Sequence, residues 1–160
     1  MNPTHLHLLL NHVPVLGTVF GLGLLLFELW RRSEDIMKAA LSVFVIVALL
    51  GVPVYLTGEP AEDGVKSIPG VSKPIMELHE KAATIAFIGV VVLGLAALAG
   101  LILYRRGKLL PSWFGVSVLA ASLMVSDLMA WTANMGGQIR HTEIRSHTST
   151  PAVIGDRAHE

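Results

Sequence analysis

The chain has 160 residues, of which 52% are hydrophobic and 15% are charged, and its mean hydropathy is +0.62. This composition is too apolar for an ordinary water-soluble domain, which excludes a soluble enzyme as the first expectation. Twelve Lys and Arg balance twelve Asp and Glu, so no basic field is available to bind nucleic acid. The absence of cysteine excludes disulfides, iron–sulfur clusters and covalently attached c-type haem, and it leaves His, carboxylate or Met to hold any metal or cofactor.

Four segments are long and apolar enough to cross about 30 Å of hydrocarbon as helices. The predicted spans are about 8–30, 38–57, 78–104 and 110–136. The first span either kinks at Pro14 or restarts near Asn11, since a helix can already begin at the Asn2-Pro3 pair. Residues 58–73, rich in Gly and Pro, are predicted to form an ordered outer loop.

The order of spans and connections predicts an all-α, integral-membrane four-helix bundle with up-down-up-down topology over residues 1–145, followed by a polar tail at 146–160. The short connections at 31–38 and 104–109 concentrate basic residues near the span ends, namely Arg31, Arg32, Lys38, Arg105, Arg106 and Lys108. Such density marks the cytoplasmic side of a membrane protein. We therefore expect a multi-pass protein of the bacterial inner membrane with both termini on the outer, periplasmic side.

The seven histidines all fall at the predicted outer face of the membrane. His7 and His12 lie near the start of the first span, His79 opens the third span and His141 follows the fourth. In a four-helix bundle the same-side ends of neighbouring helices meet, and inward side chains from different helices build cofactor sites there. These four histidines are therefore predicted as cofactor ligands, with uncoordinated, hydrogen-bonded imidazoles as the alternative.

Two kinds of cofactor fit imidazole ligands without thiolate. Haem b takes two axial histidines, and the simplest pairs are His12 with His79 and, for a second haem, His7 with His141. The alternative is a non-haem centre of Zn, Cu or Fe. Its predicted ligands are His12, His79 and His141 with a carboxylate from Glu62, Glu80 or Glu143. A structural or assembly subunit without a cofactor is the third hypothesis.

Asp127 is the only acidic residue well inside a predicted span. A charged group at that depth costs about 2.5 kcal/mol or more, so Asp127 is predicted to be a buried acid that needs a partner or a proton. Ser122, Ser126 and Thr132 are the nearest candidate partners along the helix.

Several short motifs resemble an uncharacterised bacterial family of four-helix membrane proteins. Residues 7–14 (H-L-L-L-N-H-V-P) are similar to that family's H-P-x-x-x-H-F-P start, with Leu8 and Val13 replacing its Pro and Phe. Residues 136–141 (G-G-Q-I-R-H) resemble its ending with a glycine pair, a basic residue and His. The T-G-E-P of residues 57–60 and the pair His79-Glu80 are also similar.

Members of that family can be joined to c-type cytochrome or Rieske domains, so the resemblance implies an electron-transfer setting and ligand roles for His7, His12, His79 and His141. We therefore expect a small cytochrome b-like electron-transfer subunit rather than a stand-alone enzyme. Its expected partners are the lipid bilayer and a periplasmic cytochrome or membrane respiratory protein, and an oligomer is compatible with the sequence.

Overall fold

A computed structural model describes residues 2–107 and 110–145, and these residues form helices and no strand. The predicted all-α fold class is therefore confirmed. The helices are α1 (Pro3–Leu10), α2 (His12–Arg31), α3 (Glu34–Leu56), α4 (Gly58–Val65), α5 (Lys73–Arg105) and α6 (Ser112–Arg140), followed by a 3-10 turn (Thr142–Ile144). The predicted tail at 146–160 lies outside the described residues.

Four helical segments are long and apolar enough to cross a membrane: Pro3–Arg31, Glu34–Val65, Lys73–Arg105 and Ser112–Arg140. The first of them is interrupted at Asn11, which separates α1 from α2. Pro14 explains this position, because it has no N–H to donate to the carbonyl of Leu10 four residues earlier. The backbone at Asn11 stays helical, with φ −61° and ψ −24°, so the chain continues from α1 into α2.

The segment predicted as an outer loop contains helix α4, so that part of the prediction is wrong. Pro60 lies in the first turn of α4, where its missing N–H has no helical partner to lose. Ala61 is buried, and its carbonyl accepts a long hydrogen bond of 3.5 Å from the Thr4 hydroxyl of α1. Packing against α1 therefore stabilises a short helix whose Gly and Pro content indicated a loop.

The core lies between α2, α3, α5 and α6. Helix α3 packs on α2 and α5, and α6 packs on α5 and more lightly on α2. The largest fully buried side chains are Phe44, Leu25, Leu41, Val90, Val125, Thr18 and Ser122. Helices α3 and α5 approach closely at Gly94, where an added Cβ would collide with the side chain of Ala48 and lie 3.3 Å from the Phe44 carbonyl oxygen. Small residues at such contacts are typical of helices that pack within membranes.

The two ends of the bundle differ in chemistry. We call the end formed by α1, α4, the last turns of α3 and α6 and the first turns of α5 the histidine end. There the Ser72 backbone N–H donates to the Ile139 carbonyl at 3.2 Å, which ties the start of α5 to the end of α6. The opposite end carries the basic connections, and a cavity of about 420 Å³ there is lined by Lys38, Leu101, Tyr104 and Arg105.

Candidate cofactor site at the histidine end

His7 of α1 is half-buried against the last turn of α3. Its Nδ1 lies 3.1 Å from the Val54 carbonyl oxygen and 3.3 Å from the Thr57 hydroxyl oxygen. The Thr57 hydroxyl itself donates to the Pro53 carbonyl at 2.8 Å. Carbonyl groups in the last turn of a helix lack a helical donor, so the end of α3 offers acceptors to a side chain of another helix.

His79 of α5 is half-buried against α6 and is held in the same way. Its Nδ1 lies 3.0 Å from the carbonyl oxygen of Thr132. The imidazole lies beside Gly136, one turn further along α6, where an added Cβ would be 3.1 Å from Cε1 and 3.3 Å from Nδ1 of the ring. Glycine at 136 therefore provides the space in which the His79 ring reaches α6.

These contacts fix the tautomer of both imidazoles. A carbonyl oxygen only accepts a hydrogen bond, so Nδ1 of His7 and Nδ1 of His79 must each carry the proton. In the neutral ring Nε2 then has a free lone pair, and no described residue is hydrogen-bonded to it in either histidine. Histidine ligands of metals are typically oriented by such a second hydrogen bond from the non-ligating nitrogen.

Asn11 adds an unpaired polar group one helical turn below His7. Its Oδ1 is buried and has no hydrogen-bond partner among the described residues. Side chains four residues apart lie on the same face of a helix, about 6 Å apart along the axis. The helix face that carries His7 therefore also presents a buried amide oxygen that accepts no hydrogen bond from the described residues.

The other two predicted ligands point elsewhere. His12 is exposed on α2. His141 is exposed beyond the end of α6, and its Nδ1 lies 2.8 Å from Oε1 of Glu143. The pKa of Glu143 is lowered by its own backbone N–H and by this contact with His141. His141 and Glu143 thus form a surface pair.

The carboxylates of the alternative metal site do not join the histidines. Glu62 of α4 is half-buried, and Glu80 of α5 is exposed. Within residues 2–107 and 110–145, no group of three His, Cys, Asp or Glu side chains is placed to hold a metal ion. His7 and His79 thus lie at the same end of the bundle, one against α3 and the other against α6, and neither belongs to an imidazole and carboxylate cluster of the described residues.

Asp127 does not lie in the bundle interior, contrary to the prediction of a buried acid. The side chain is exposed on α6. Val125 and Met129 face the core, and a residue two positions away from either is rotated by about 200°, so Asp127 faces away from the core. The nearby Ser122 and Thr132 hydroxyls donate to carbonyls of α6 and not to Asp127.

Arg145 closes the histidine end, a role that the sequence did not indicate. Its Nε donates to the Gln138 carbonyl at 2.8 Å, and its Nη2 donates to the carbonyls of Ile139 and Gly70 at 2.7 and 2.8 Å. The last carbonyls of a helix have no helical donors, so this guanidinium caps α6 and links it to the segment before α5. A basic residue five positions after a helix end is a weak signal in a single sequence.

We expect Arg145→Ala to lower the free energy of unfolding by about 2 kcal/mol, because a charged donor to three carbonyls is lost. Thermal unfolding in detergent and amide hydrogen exchange over residues 68–76 will measure this loss. Arg145→Lys, which keeps the charge but not the fork of donors, should fall between the wild type and Arg145→Ala. Equal stability of all three proteins would show that the contacts contribute nothing.

Comparisons with known proteins give no match: no family model, no curated protein and no solved structure is significantly similar to this chain. The likeness to the four-helix membrane family therefore rests on the short motifs alone, and the ligand roles it implies stay predictions. The placement of the side chains at the histidine end is the main guide to function.

Proposed function

We propose that the chain is a small cytochrome b-like electron-transfer subunit that binds haem b through Nε2 of His7 and Nε2 of His79. The observation that carries the proposal is the matched environment of these two rings. They come from different helices, they are half-buried at one end of the bundle, and each donates Nδ1–H to a backbone carbonyl. In this arrangement the Nε2 lone pair of each ring is oriented by the protein and makes no hydrogen bond with a described residue.

The donor set favours haem over a non-haem metal. A structural or catalytic Zn²⁺ site needs three or four protein ligands, whereas a haem iron needs only two axial ligands because the porphyrin supplies four nitrogens. The described residues offer the imidazoles of His7 and His79, and they contain no group of three His, Cys, Asp or Glu side chains placed to hold a metal ion. His7 replaces His12 as the partner of His79, since His12 is exposed.

Each residue of the site has a role that follows from its contacts. The Val54 and Thr132 carbonyls hold the rings in the Nδ1–H tautomer and raise the basicity of Nε2. Gly136 leaves the space for the His79 ring. Asn11 offers a buried amide to a polar group of the ligand. Haem bound here supplies one-electron redox chemistry, and the surrounding polarity and burial tune its potential.

In this proposal the four long helices cross the bacterial inner membrane in alternating directions and the histidine end faces the periplasm. The basic connections at the opposite end then face the cytoplasm, as the positive-inside rule requires. Haem near the periplasmic surface can exchange electrons with a periplasmic cytochrome or with a membrane respiratory partner.

The test is a spectrum of the full chain expressed with ample haem and purified in detergent. We expect a Soret band, reduced b-type bands, and an electron paramagnetic resonance spectrum of low-spin iron with two imidazole ligands. Pyridine haemochrome analysis will give the haem content per chain. Protein that carries no extractable haem and shows no Soret band after haem addition would contradict the proposal.

A second candidate is a structural or assembly subunit without a cofactor. The observation that favours it is that the same hydrogen bonds join α1 to α3 through His7 and α5 to α6 through His79. Under this alternative, replacing both histidines lowers the stability of the bundle and changes no spectrum. The haem measurement above separates the two candidates.

A further inference from the structure

One face of α6 carries polar side chains where the other long helices carry apolar ones. Within residues 16–30, 39–52 and 85–102, every exposed residue is apolar or glycine, as expected for surfaces that face lipid. On α6, by contrast, Ser117, Asp127 and Asn134 are all exposed. Lipid tails offer no hydrogen bonds, so polar groups at this depth need partners from protein or water.

The polar residues belong to one regular stripe. We define the α6 stripe as the exposed positions that alternate by four and three residues: Trp113, Ser117, Ala120, Met124, Asp127, Trp131 and Asn134. This spacing is the heptad repeat by which one helix packs along another. The buried residues of α6 lie on the opposite side, at Val118, Ser122, Val125, Ser126 and Met129. Helix α6 therefore has one seam for the bundle and a second seam without a partner in the single chain.

Asp127 lies at the centre of this stripe. It is about 20 Å from either end of α6, which is the depth of the hydrocarbon middle. Among the described residues, no hydrogen bond or ion pair engages its carboxyl group. Ionisable groups inside a membrane almost always face a protein interior or another polar group.

We propose that the α6 stripe is the interface with a second copy of this chain, formed by two parallel α6 helices around a two-fold axis. A two-fold axis along the helices places each stripe residue opposite its own copy. A protonated carboxyl is both donor and acceptor, so two Asp127 side chains can satisfy each other, and the Asn134 amides can do the same.

The remaining residues of the stripe fit the same partner. Ser117 and Ala120 are small and allow two helices to approach closely, as in other helix pairs within membranes. Trp113 and Met124, which are 67% and 60% exposed in the single chain, supply large apolar surfaces along the same stripe. The pattern of small, polar and large residues therefore suits a helix of identical sequence.

The test uses cysteine cross-linking of the full chain in phosphatidylcholine vesicles, where the natural absence of cysteine makes each introduced thiol unique. We expect Met124→Cys to form a disulfide-linked dimer on mild oxidation. The matched control is Val92→Cys on α5, which is 59% exposed and lies at a similar distance from the basic end of the bundle. It should cross-link much less.

Substitution of Asp127 then tests the role of the carboxyl group. In the Met124→Cys background, Asp127→Leu should lower the cross-linked fraction about tenfold, whereas Asp127→Asn, which keeps a donor and an acceptor, should retain it. Helix content from circular dichroism checks that the variants fold. Equal cross-linking at 92 and 124, no effect of Asp127→Leu, or a monomer by single-molecule photobleaching would overturn the proposal. A monomer would assign the α6 stripe to a different membrane protein.

Discussion

Replacing His7 or His79 by alanine is expected to abolish the low-spin haem spectrum. Each substitution removes one of the two axial ligands, so the iron changes from a six-coordinate, bis-imidazole state to a high-spin state. The double variant should bind no haem by pyridine haemochrome analysis. Optical and electron paramagnetic resonance spectra of the purified variants will measure these changes.

His12→Ala is the matched control, because His12 is exposed and lies at the start of α2, five residues after His7. It should keep the wild-type spectrum. Free imidazole added to His79→Ala should restore the low-spin signal, since a small ligand can occupy the space of the lost ring. A ring with only a structural role would show no such rescue. Loss of the spectrum in His12→Ala but not in His7→Ala would assign the ligand to His12, as the sequence alone suggested.

Adding a single methyl group at Gly136 is expected to disturb the site without replacing either of the proposed haem ligands. An alanine Cβ there would lie 3.1 Å from Cε1 of His79, tighter than ordinary contacts, so the ring must shift by a few tenths of an ångström and its hydrogen bond to the Thr132 carbonyl is strained. We expect Gly136→Ala to lower the low-spin haem signal. In the protein without haem, ¹⁵N chemical shifts of the His79 ring should show loss of the fixed Nδ1–H tautomer.

Gly137→Ala provides the comparison for this substitution. Its Cβ would lie 3.4 Å from the Ile144 side-chain methyl group, which is an ordinary contact. Alanine favours a helix over glycine by up to about 1 kcal/mol at either position, so helix propensity stabilises both variants alike. A difference in haem binding between them therefore reports on the His79 ring alone. Equal spectra would show that the ring has room to move and still bind.

The fold was more accessible from sequence than the site. Hydropathy and the spacing of uncharged runs predicted an all-α chain with four helices of membrane-spanning length, because burial in lipid requires long apolar segments. Helix α4 was missed because Gly58, Pro60 and Gly64 are residues of loops, and only its contact with α1 makes it a helix. Pro14 limited the expected irregularity of the first span to two positions, Asn11 or Pro14, but the sequence did not decide between them.

Which histidines face each other's end of the bundle depends on how each helix is rotated about its axis, and a single sequence does not fix this rotation. His7 and His12 are five residues apart, about 140° around a continuous helix, so the sequence could not decide which of them faces α3. In the structure His7 faces α3 and His12 is exposed, and the backbone between them stays helical at Asn11. Likewise, the hydropathy of the fourth span does not reveal that Asp127 points away from the core. Which face of a helix is buried depends on its neighbours.

The carbonyls that hold the two imidazoles come late in the chain relative to the histidines themselves. Val54 follows His7 by 47 residues, and Thr132 follows His79 by 53 residues. During synthesis His79 therefore emerges long before its acceptor, and its tautomer is set only once α6 has folded against α5. Cofactor loading through this ring would then wait until α6 is in place, because a product truncated after α5 lacks the Thr132 carbonyl that orients the imidazole.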